Sequence, residues 1–304
     1  MGARLAQVRS FNRTVTQRVG ALQEAYLART RPLGQARLLW EIGPQGRDVR
    51  GLRADLGLDS GYVSRLLRAL EEEGLVEVGP SPSDARVRTA RLTRKGRAER
   101  ALLDRRSDEL AASVLSPLNE RQQERLVDAM AEVERLLLAS MVQISVRDPR
   151  DPGARACLRS YVAELERRFE GGFDPAHSNP ATDADLTPPS GLFLVATLGA
   201  DPVGCAGLRL HGDDPAEVKR MWVSPRVRGV GLGRRLLGEV EVRAAERGVR
   251  VLRLETNAAL SEAVALYRAA GYAEVPAFND EQFADHWFEK TLLPSGAGSR
   301  RLRA

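Results

Sequence analysis

Residues 216–237 read AEVKRMWVSPRVRGVGLGRRLL, and this stretch decides the fold of the second half of the chain. Its first part, 217–223, is rich in Val, Trp and Met and predicts a strand, which Pro225 ends. From Leu232 onward the apolar residues recur at helical spacing and predict one buried helix face. A strand, a glycine-rich loop and a helix start thus follow one another, which is an arrangement that binds phosphate groups.

The glycine-rich loop brings backbone N–H groups, and no obstructing side chains, to the start of that helix. Gly229, Gly231 and Gly233 leave room for a pyrophosphate, which the unpaired N–H groups and the helix dipole attract. No Gly-Lys-Ser/Thr follows, so the loop is not the P-loop of nucleotide hydrolases. The strand that feeds the loop also lies too deep in the chain for a dinucleotide-binding fingerprint.

Four segments, two of them within this stretch and two beyond it, extend the pattern into a resemblance to a known family. Residues 228–233 have the R/Q-x-x-G-x-G/A spacing of the acyl-coenzyme A loop in GNAT-family acetyltransferases. Residues 217–223 resemble the central strand of that family, and residues 251–257 resemble the next strand, which splays away from it. Residues 265–272 resemble its L-Y-x-x-x-G-F/Y helix end. The resemblance implies an α/β GNAT fold with a splayed, mixed central sheet.

The same resemblance implies N-acetyltransferase activity with acetyl-CoA as co-substrate. It assigns the coenzyme to Met221, Trp222, Val223, Arg228, Gly229, Val230, Gly231, Leu232, Gly233, Arg234 and Asn257. Backbone N–H groups freed where the two central strands part would face the acetyl carbonyl. By resemblance, Tyr267 is the general acid that protonates the departing thiolate; the alternative is a tyrosine that only packs the core.

The general base and the acceptor are less well defined by the residues. Glu217 and Glu255 are the two candidate bases, and each has an alternative as a strand-end carboxylate paired with Arg220 or Arg253. The candidate acceptor residues lie in segments that line the cleft of this fold: Phe169, Phe173, Asn279, Asp280, His286 and Trp287. This mixture of polar and aromatic groups suits a small amine or amino acid, and the lysine side chain of a protein remains open.

The first half of the chain contains a helix-turn-helix pattern at about residues 49–74. The second of its helices buries one apolar face, formed by Val63, Leu66, Leu67 and Leu70. The opposite face carries Ser60, Tyr62, Ser64, Arg65 and Arg68. Small polar residues followed by arginines suit a helix in the major groove of DNA, whereas a plain three-helix core would need only the leucines.

A basic hairpin is predicted directly after this helix. Residues 75–78 and 85–92 read as its strands, and the second carries Arg86 and Arg88, which suit contacts with DNA in a narrow minor groove. Asp84-x-Arg86 followed by Leu92-Thr93-x-x-Gly96 resembles the signature of MarR-family winged-helix regulators. That resemblance covers about residues 1–145 and implies binding to double-stranded DNA as a homodimer.

Two apolar helix seams fit such a dimer. Residues 3–28 predict one helix with apolar residues every three or four positions. A second seam is formed by Leu126, Met130, Val133 and Leu137. The alternative is that both seams pack within the chain.

The 304 residues therefore divide into an α+β chain of two domains. We expect a mostly helical, MarR-like winged helix-turn-helix domain at 1–145, a linker rich in proline and charge at 146–153, a GNAT domain at 154–293 and a disordered tail at 294–304. Residues 1–150 hold 26 Lys and Arg against 20 Asp and Glu, whereas the whole chain has a net charge of +5. The first half is thus the expected partner of a polyanion.

Composition excludes several classes of protein. No apolar run approaches the roughly 20 residues of a membrane helix, and the first residues lack the apolar core of a signal peptide. Cys157 and Cys205 have no metal-ligand spacing, so we expect no metal site and a reducing, cytoplasmic location. We predict no association with a membrane.

Three functions remain open at this point. The chain is a bifunctional regulator and acetyltransferase, a regulator whose second half only senses acetyl-CoA or an amine, or an acetyltransferase that uses its first half for dimerisation. Tyr267 and the intact glycine loop favour activity over sensing. Arg65, Arg68 and Arg86 favour DNA binding over a scaffold role.

Overall fold

The computed structural model describes residues 1–19, 31–81, 86–178, 181–212 and 215–292. The chain divides into two compact units between Ala131 and Glu132. The first is mostly helical with a small three-stranded sheet, and the second contains a seven-stranded mixed sheet. The predicted α+β class is confirmed. None of the helices in the described ranges is long and apolar enough to span a bilayer.

The first unit is built around a helix-turn-helix and a hairpin. Its elements are α1 (Gly2–Arg18), α2 (Leu33–Ile42), β1 (Arg47–Asp48), α3 (Val49–Leu56), α4 (Ser60–Glu72), β2 (Val76–Pro80), β3 (Arg88–Leu92), α5 (Arg94–Leu115) and α6 (Glu120–Met141), of which α6 continues into the second unit. The Asp48 carboxylate caps α3, the Asp59 carboxylate accepts a bond from Tyr62 N at 2.8 Å to cap α4, and Thr93 caps α5.

Helix α4 buries the four apolar residues that its periodicity predicts, and they share one core with α2, α3 and the hairpin. Strands β2 and β3 pair antiparallel, with Val76 opposite Leu92, and β1 joins the outer side of β3. This is the predicted wing. Its tip, including Asp84 of the family signature, lies outside the described residues, as do residues 20–30 of the predicted first helix.

The helix seams predicted for a dimer are more exposed than the apolar faces that form a core. On α1, the side chains of Leu5, Val8, Phe11 and Val15 are all exposed, and α1 buries none of its residues. On α6, Met130 and Leu137 are exposed, whereas Leu126 and Val133 are half-buried. Packing within the described part of the chain therefore leaves much of both seams uncovered, and dimerisation stays a prediction.

The second unit is a sheet flanked by helices. Its elements are β4 (Gln143–Arg147), α7 (Pro152–Arg168), β5 (Gly191–Leu198), β6 (Asp201–Arg209), β7 (Ala216–Val223), α8 (Leu232–Ala245), β8 (Val251–Thr256), α9 (Ser261–Ala269), β9 (Ala273–Val275) and β10 (His286–Thr291). The strand order is β4-β5-β6-β7-β8-β10-β9, and among the described strands only β7 and β8 pair in parallel. The main core packs α8 and α9 against the sheet.

The region between the two predicted domains differs from the expected linker. Val146 and Arg147, which we predicted at its start, belong to strand β4 and pair with Leu194 and Phe193 of β5. Pairing satisfies their backbone groups, and Ile144 of the same strand packs against the sheet core. Helix α7 begins at Pro152, two residues before the predicted start of the GNAT domain. Residues 293–304, which include the predicted tail, lie outside the described residues.

Strands β7 and β8 separate soon after they meet, as the sequence predicts. Their parallel pairing covers Ala216 with Leu252 and Glu217 with Arg253, and no further pair is formed between the described strands. On the other side of β7, its register with β6 shifts near Cys205, and Arg220 has a φ of 54°. A residue other than glycine rarely adopts this backbone, so the bulge is a constrained feature at the point where the strands part.

The glycine of the L-T-x-x-G signature lies where a side chain has no room. A Cβ on Gly96 would lie 1.9 Å from the carbonyl oxygen of Leu75. We expect Gly96→Ala to lower the free energy of unfolding by about 1–3 kcal/mol, because backbone rather than a flexible side chain must move. Denaturant unfolding followed by helical circular dichroism measures the effect. Gly79→Ala is the control, since no atom lies within 4 Å of its added Cβ; equal midpoints for both variants would contradict the explanation.

Candidate functional site

Two neighbouring cavities lie where β7 and β8 part. The first, which we call the loop cavity, has a volume of about 380 Å³ and lies between α7, the end of β7, the glycine loop and α9. The predicted coenzyme residues that line it are Met221, Trp222, Val223, Arg228, Gly229, Gly231, Leu232, Gly233 and Arg234. Val230 and Asn257 are not among its lining residues. The sequence pattern thus predicts most of the residues that β7, the glycine loop and α8 contribute to the loop cavity.

The glycine loop offers a row of unpaired donors to the loop cavity. Gly231 precedes α8 with a φ of 82° and no side-chain cap. Among the described residues, none accepts a hydrogen bond from the backbone N–H groups of residues 229–234. Such a row at a helix N-terminus fits a pyrophosphate. Gly233 has a different role, because a Cβ there would lie 3.2 Å from Leu266 Cδ2, so it allows α8 to pack closely.

Glu164 is a buried carboxylate at the rim of the loop cavity that the sequence analysis did not single out. Its Oε2 accepts hydrogen bonds from Arg228 Nη2 at 2.5 Å and from Trp222 Nε1 at 2.9 Å. Burial raises the pKa of Glu164, but the bonds from Arg228 and Trp222 outweigh burial and hold that pKa below its usual value. Arg228 also donates Nε–H to the Val223 carbonyl at 2.9 Å. The arginine of the loop motif is therefore held by the protein itself.

Tyr267 lies at the border between the two cavities and lines both of them. Its ring packs against Tyr272 and Phe288, and its hydroxyl lies 3.9 Å from Met221 Sδ. Burial, with a smaller effect of the Glu255 carboxylate, raises the pKa of Tyr267. The phenol thus stays protonated at neutral pH. Tyr161 of α7, which the sequence analysis did not name, lines both cavities as well.

The second cavity, which we call the aromatic cavity, has a volume of about 300 Å³. Phe169, Phe173 and Phe283 form part of its wall, and their ring centroids are 4.9 to 6.0 Å apart. The first two were predicted from the sequence. Phe283 was not, because it belongs to an irregular segment in which no periodicity marks a buried position. The three rings make an apolar surface suited to the body of a small substrate.

Glu255 is the predicted base that reaches the aromatic cavity. Its Oε1 is bonded to Lys219 Nζ, while its Oε2 is buried and has no hydrogen-bond partner among the described residues. Glu217 does not line the cavity and lies 3.4 Å from Lys219 Nζ. The alternative reading, in which these carboxylates pair with Arg220 or Arg253, does not match the contacts of the described residues. Instead, Arg220 donates to the Ala181 carbonyl, and Arg253 bonds to Glu289 at 2.8 Å.

Four of the predicted acceptor residues are not among those that line the aromatic cavity, namely Asn279, Asp280, His286 and Trp287. Two of them, His286 and Trp287, belong to β10, which lies between β8 and β9 and holds these side chains in other contacts. Trp287 Nε1 donates to Asn279 Oδ1 at 2.8 Å, and His286 Nδ1 lies 2.6 Å from Glu274 Oε1.

Asn257 also differs from its predicted position, because it lines the aromatic cavity and not the loop cavity. Its side-chain amide donates to the Phe283 carbonyl at 2.8 Å, and its Oδ1 accepts from Ala259 N at 2.8 Å. Asn257 therefore fixes the segment that carries Phe283.

The predicted DNA-binding residues lie on the surface of the first unit. All seven are exposed: Ser60, Tyr62, Ser64, Arg65, Arg68, Arg86 and Arg88. On α4, the Arg65 guanidinium lies 5.7 Å from the centre of the Tyr62 ring. The apolar side chains of α4 pack into the core, and its polar and basic side chains lie on the opposite, exposed face.

Comparison with known proteins agrees with both resemblances. Residues 158–272 match the model of the acetyltransferase (GNAT) family. The IAA acetyltransferase of Azospirillum brasilense is 39% identical over 115 residues, which cover 37% of this chain and 74% of that protein. The chain belongs to the GNAT acetyltransferase family. Its second half is thus an N-acetyltransferase domain, in a family whose members use acetyl-CoA.

A second relative in the GNAT family is the N-alpha-acetyltransferase RimI of Mycobacterium tuberculosis. It is 36% identical over 116 residues, which cover 37% of this chain and 71% of that protein. Residues 29–87 match the model of the MarR family, so a MarR-type region precedes the GNAT domain. A MarR-family regulator structure from Rhodococcus sp. RHA1 covers 44% of this chain and 95% of its own, with 22% identity and a TM-score of 0.36.

Proposed function

We propose that the second unit transfers the acetyl group of acetyl-CoA to a small amine or amino acid. The observation that carries this proposal is the meeting of two cavities at Tyr267. Within the described part of the chain, one cavity presents a row of unpaired N–H groups, and the other presents Glu255 Oε2 without a hydrogen-bond partner. An anionic coenzyme and a cationic amine suit these two groups, respectively.

The coenzyme would be held by backbone donors rather than by the arginine of the loop. Arg228 is already engaged by Glu164, so the free N–H groups of residues 229–234 are the better partners of a pyrophosphate. The mainly apolar wall of the loop cavity suits the pantetheine arm, which lies next to the opening between β7 and β8. Acetyl-CoA brings a thioester whose acetyl carbon accepts a nucleophile.

The acceptor chemistry follows from the groups at the border of the cavities. Glu255 takes a proton from the ammonium group of the acceptor, and the neutral nitrogen forms a bond with the acetyl carbon as the carbon–sulphur bond breaks. Tyr267 protonates the departing thiolate and recovers the second proton that the nitrogen loses. One proton per turnover thus ends on coenzyme A, and the other must reach solvent.

An acceptor panel tests this function. The full chain is incubated with acetyl-CoA and, separately, with phenylethylamine, spermidine, L-phenylalanine, glycine and a lysine-containing peptide, while release of the coenzyme A thiol is recorded. We expect transfer to at least one primary amine with an apolar body, because the aromatic cavity joins three phenyl rings to one carboxylate. No transfer to any of them would contradict the proposed acceptor class, and transfer to the peptide alone would favour protein lysine.

Coenzyme binding is tested by Gly231→Asp. The substitution puts a carboxylate, and a side chain in a left-handed backbone, where the pyrophosphate is proposed to bind. We expect affinity for acetyl-CoA to fall by more than about tenfold, or about 1.4 kcal/mol, in isothermal titration calorimetry. Gly238→Asp is the matched control, because it adds the same charge to α8 where no atom lies within 4 Å of the new Cβ. Unchanged affinity in a folded Gly231 variant would remove the loop from the coenzyme site.

For the first unit we propose binding to double-stranded DNA as a homodimer. The exposed polar face of α4, followed by a hairpin whose second strand bears Arg86 and Arg88, supports a winged-helix mode with α4 in the major groove. The exposed apolar seams on α1 and α6 support a second copy of the chain as the partner that covers them.

DNA binding is tested by Arg68→Ala. Loss of one cationic contact should weaken binding to DNA from the protein's own promoter and reduce the slope of log affinity against log salt by roughly one unit. A salt titration measures both effects, and size-exclusion chromatography monitors the dimer. Arg159→Ala is the control, since it removes an exposed arginine from α7 of the second unit. If both variants bind like the wild type, α4 does not contact DNA through Arg68.

A further inference from the structure

Four polar side chains connect the aromatic cavity with the surface of the second unit. Glu255 Oε1 is bonded to Lys219 Nζ, which lies 3.4 Å from Glu217 Oε2, which in turn lies 3.3 Å from His211 Nε2. The exposed fractions of these side chains are 9%, 7%, 13% and 40% in that order. The series therefore begins at a buried group in the cavity and ends at an imidazole that contacts solvent.

The charges around this series do not supply a competing hydrogen-bond partner for Glu217. Its Oε2 is buried, and its contacts with Lys219 Nζ and His211 Nε2 are ion-pair contacts rather than hydrogen bonds, as is the longer contact of 3.7 Å with Arg209 Nη1. Arg209 is shared with Asp185 at 3.7 Å. On the cavity side, the titratable groups are Tyr267 and Tyr161, whose pKa values are raised mainly by burial and to a smaller extent by the Glu255 carboxylate. Lys219 is therefore the side chain hydrogen-bonded to Glu255 that can accept a proton from it.

Proton balance gives this series a task, if the second unit acetylates an amine as proposed above. A protonated amine loses two protons when it becomes an amide, and coenzyme A takes only one of them. The other proton is left on Glu255, deep in the cavity, and Glu255 cannot act in a second turnover until it has lost that proton.

We propose that Lys219, Glu217 and His211 form a proton-transfer path from Glu255 to solvent. The Lys219 ammonium gives one proton to Glu217 and takes one from the Glu255 carboxyl group, so that Lys219 is again an ammonium and Glu255 again a carboxylate. Glu217 then passes its proton to His211, and the imidazole releases it to buffer, a step that imidazoles perform well near neutral pH. No bond other than those to hydrogen changes, and each group returns to its starting state.

A path that regenerates the base has a kinetic signature that a merely structural role lacks. In the first turnover Glu255 is already deprotonated, so loss of the path should leave that turnover unchanged. Later turnovers must wait for the proton to leave by another route. A structural role for Glu217 or His211 would instead disturb Glu255 and slow the first turnover as well.

The test compares Glu217→Gln and His211→Asn with the wild type, using the amine of the acceptor panel with the highest kcat/KM. Rapid-quench measurement gives the rate of the first turnover, and thiol release gives steady-state kcat. We expect a first turnover within about twofold of the wild type, and a kcat lower by about tenfold for each variant. Added imidazole should restore kcat for His211→Asn, whose position is exposed, but not for the more buried Glu217→Gln. Glu289→Gln, which removes an equivalent carboxylate from β10, is the matched control and should behave as the wild type.

The outcomes separate this proposal from the function on which it rests. Acetylation of none of the panel amines overturns the proposed acetyl transfer, and the path with it. Acetylation with wild-type kcat in both variants overturns the path alone. A kcat and a first turnover that fall together also overturn it, because they assign Glu217 and His211 a structural role. A burst followed by slow, imidazole-sensitive turnover in His211→Asn supports the path.

Discussion

Glu255→Gln is expected to lower kcat by about 10²- to 10⁴-fold, the range found when a positioned general base is removed. The carboxylate lines the aromatic cavity, and its Oε2 has no other hydrogen-bond partner among the described residues. An amide of the same shape preserves the packing but cannot take a proton from an ammonium group. The residual rate should rise with pH, since the acceptor must then lose its proton in solution before it binds.

Steady-state kinetics over a range of pH, with the fastest amine of the acceptor panel, measures this effect. Glu217→Gln serves for comparison because Glu217 was the rival base in the sequence. If Glu217 is the base, its variant should show the larger loss already in the first turnover, and Glu255→Gln should remain active. That result would reverse the assignment that cavity geometry favours. Calorimetry with acetyl-CoA checks that both variants retain the coenzyme site.

The parts of the second unit that could be predicted from sequence are those with local causes. The glycine loop and the start of α8 follow from neighbouring residues, since glycine backbone freedom and helical apolar spacing act within a few positions. The splayed strands followed from the family resemblance, and the register of β7 and β8 confirms them. Tyr267 was found in the same way, and its place between two cavities agrees with its predicted role without testing it.

The parts that could not be predicted depend on contacts between distant segments. Trp287 was expected in the acceptor cleft, but the insertion of β10 between β8 and β9 directs it to Asn279. Lys219 was not singled out, because only the approach of β7 to β8 brings its ammonium group between two carboxylates. Glu164 offered a faint signal in its spacing from Arg168, but its bonds to Trp222 and Arg228 cross 58 and 64 residues of sequence.

In the first unit, the helix-turn-helix has local causes, whereas the environment of the seams depends on distant contacts. The buried face of α4 follows from its periodicity, and every predicted member of that face is in the core. The apolar spacing of α1 is equally regular, yet its side chains are exposed. Periodicity identifies an apolar face, but only the rest of the structure identifies what covers that face. A second copy of the chain is our proposal for α1 and α6.

Tyr267→Phe is expected to lower kcat by on the order of 10²-fold while leaving affinity for acetyl-CoA nearly unchanged. The phenyl ring keeps its packing against Tyr272 and Phe288, so the core should tolerate the loss of one hydroxyl. That hydroxyl makes only a long contact, of 3.9 Å, with Met221 Sδ, and it lies where both cavities meet. Removing it therefore affects the proton supply to the thiolate more than the stability of the unit.

The pH dependence of the wild type distinguishes an acid from a packing residue. Burial and the Glu255 carboxylate raise the pKa of Tyr267 above the ordinary value of about 10, so its proton is present throughout the neutral and mildly alkaline range. Titration of Tyr267 should therefore cause no decline in the kcat of the wild type between about pH 7 and 9. The ratio of wild-type to variant kcat should stay constant across that range. A ratio near one at every pH would reduce Tyr267 to a core residue, and acid catalysis at the border of the two cavities would then pass to Tyr161, the other phenol that lines both.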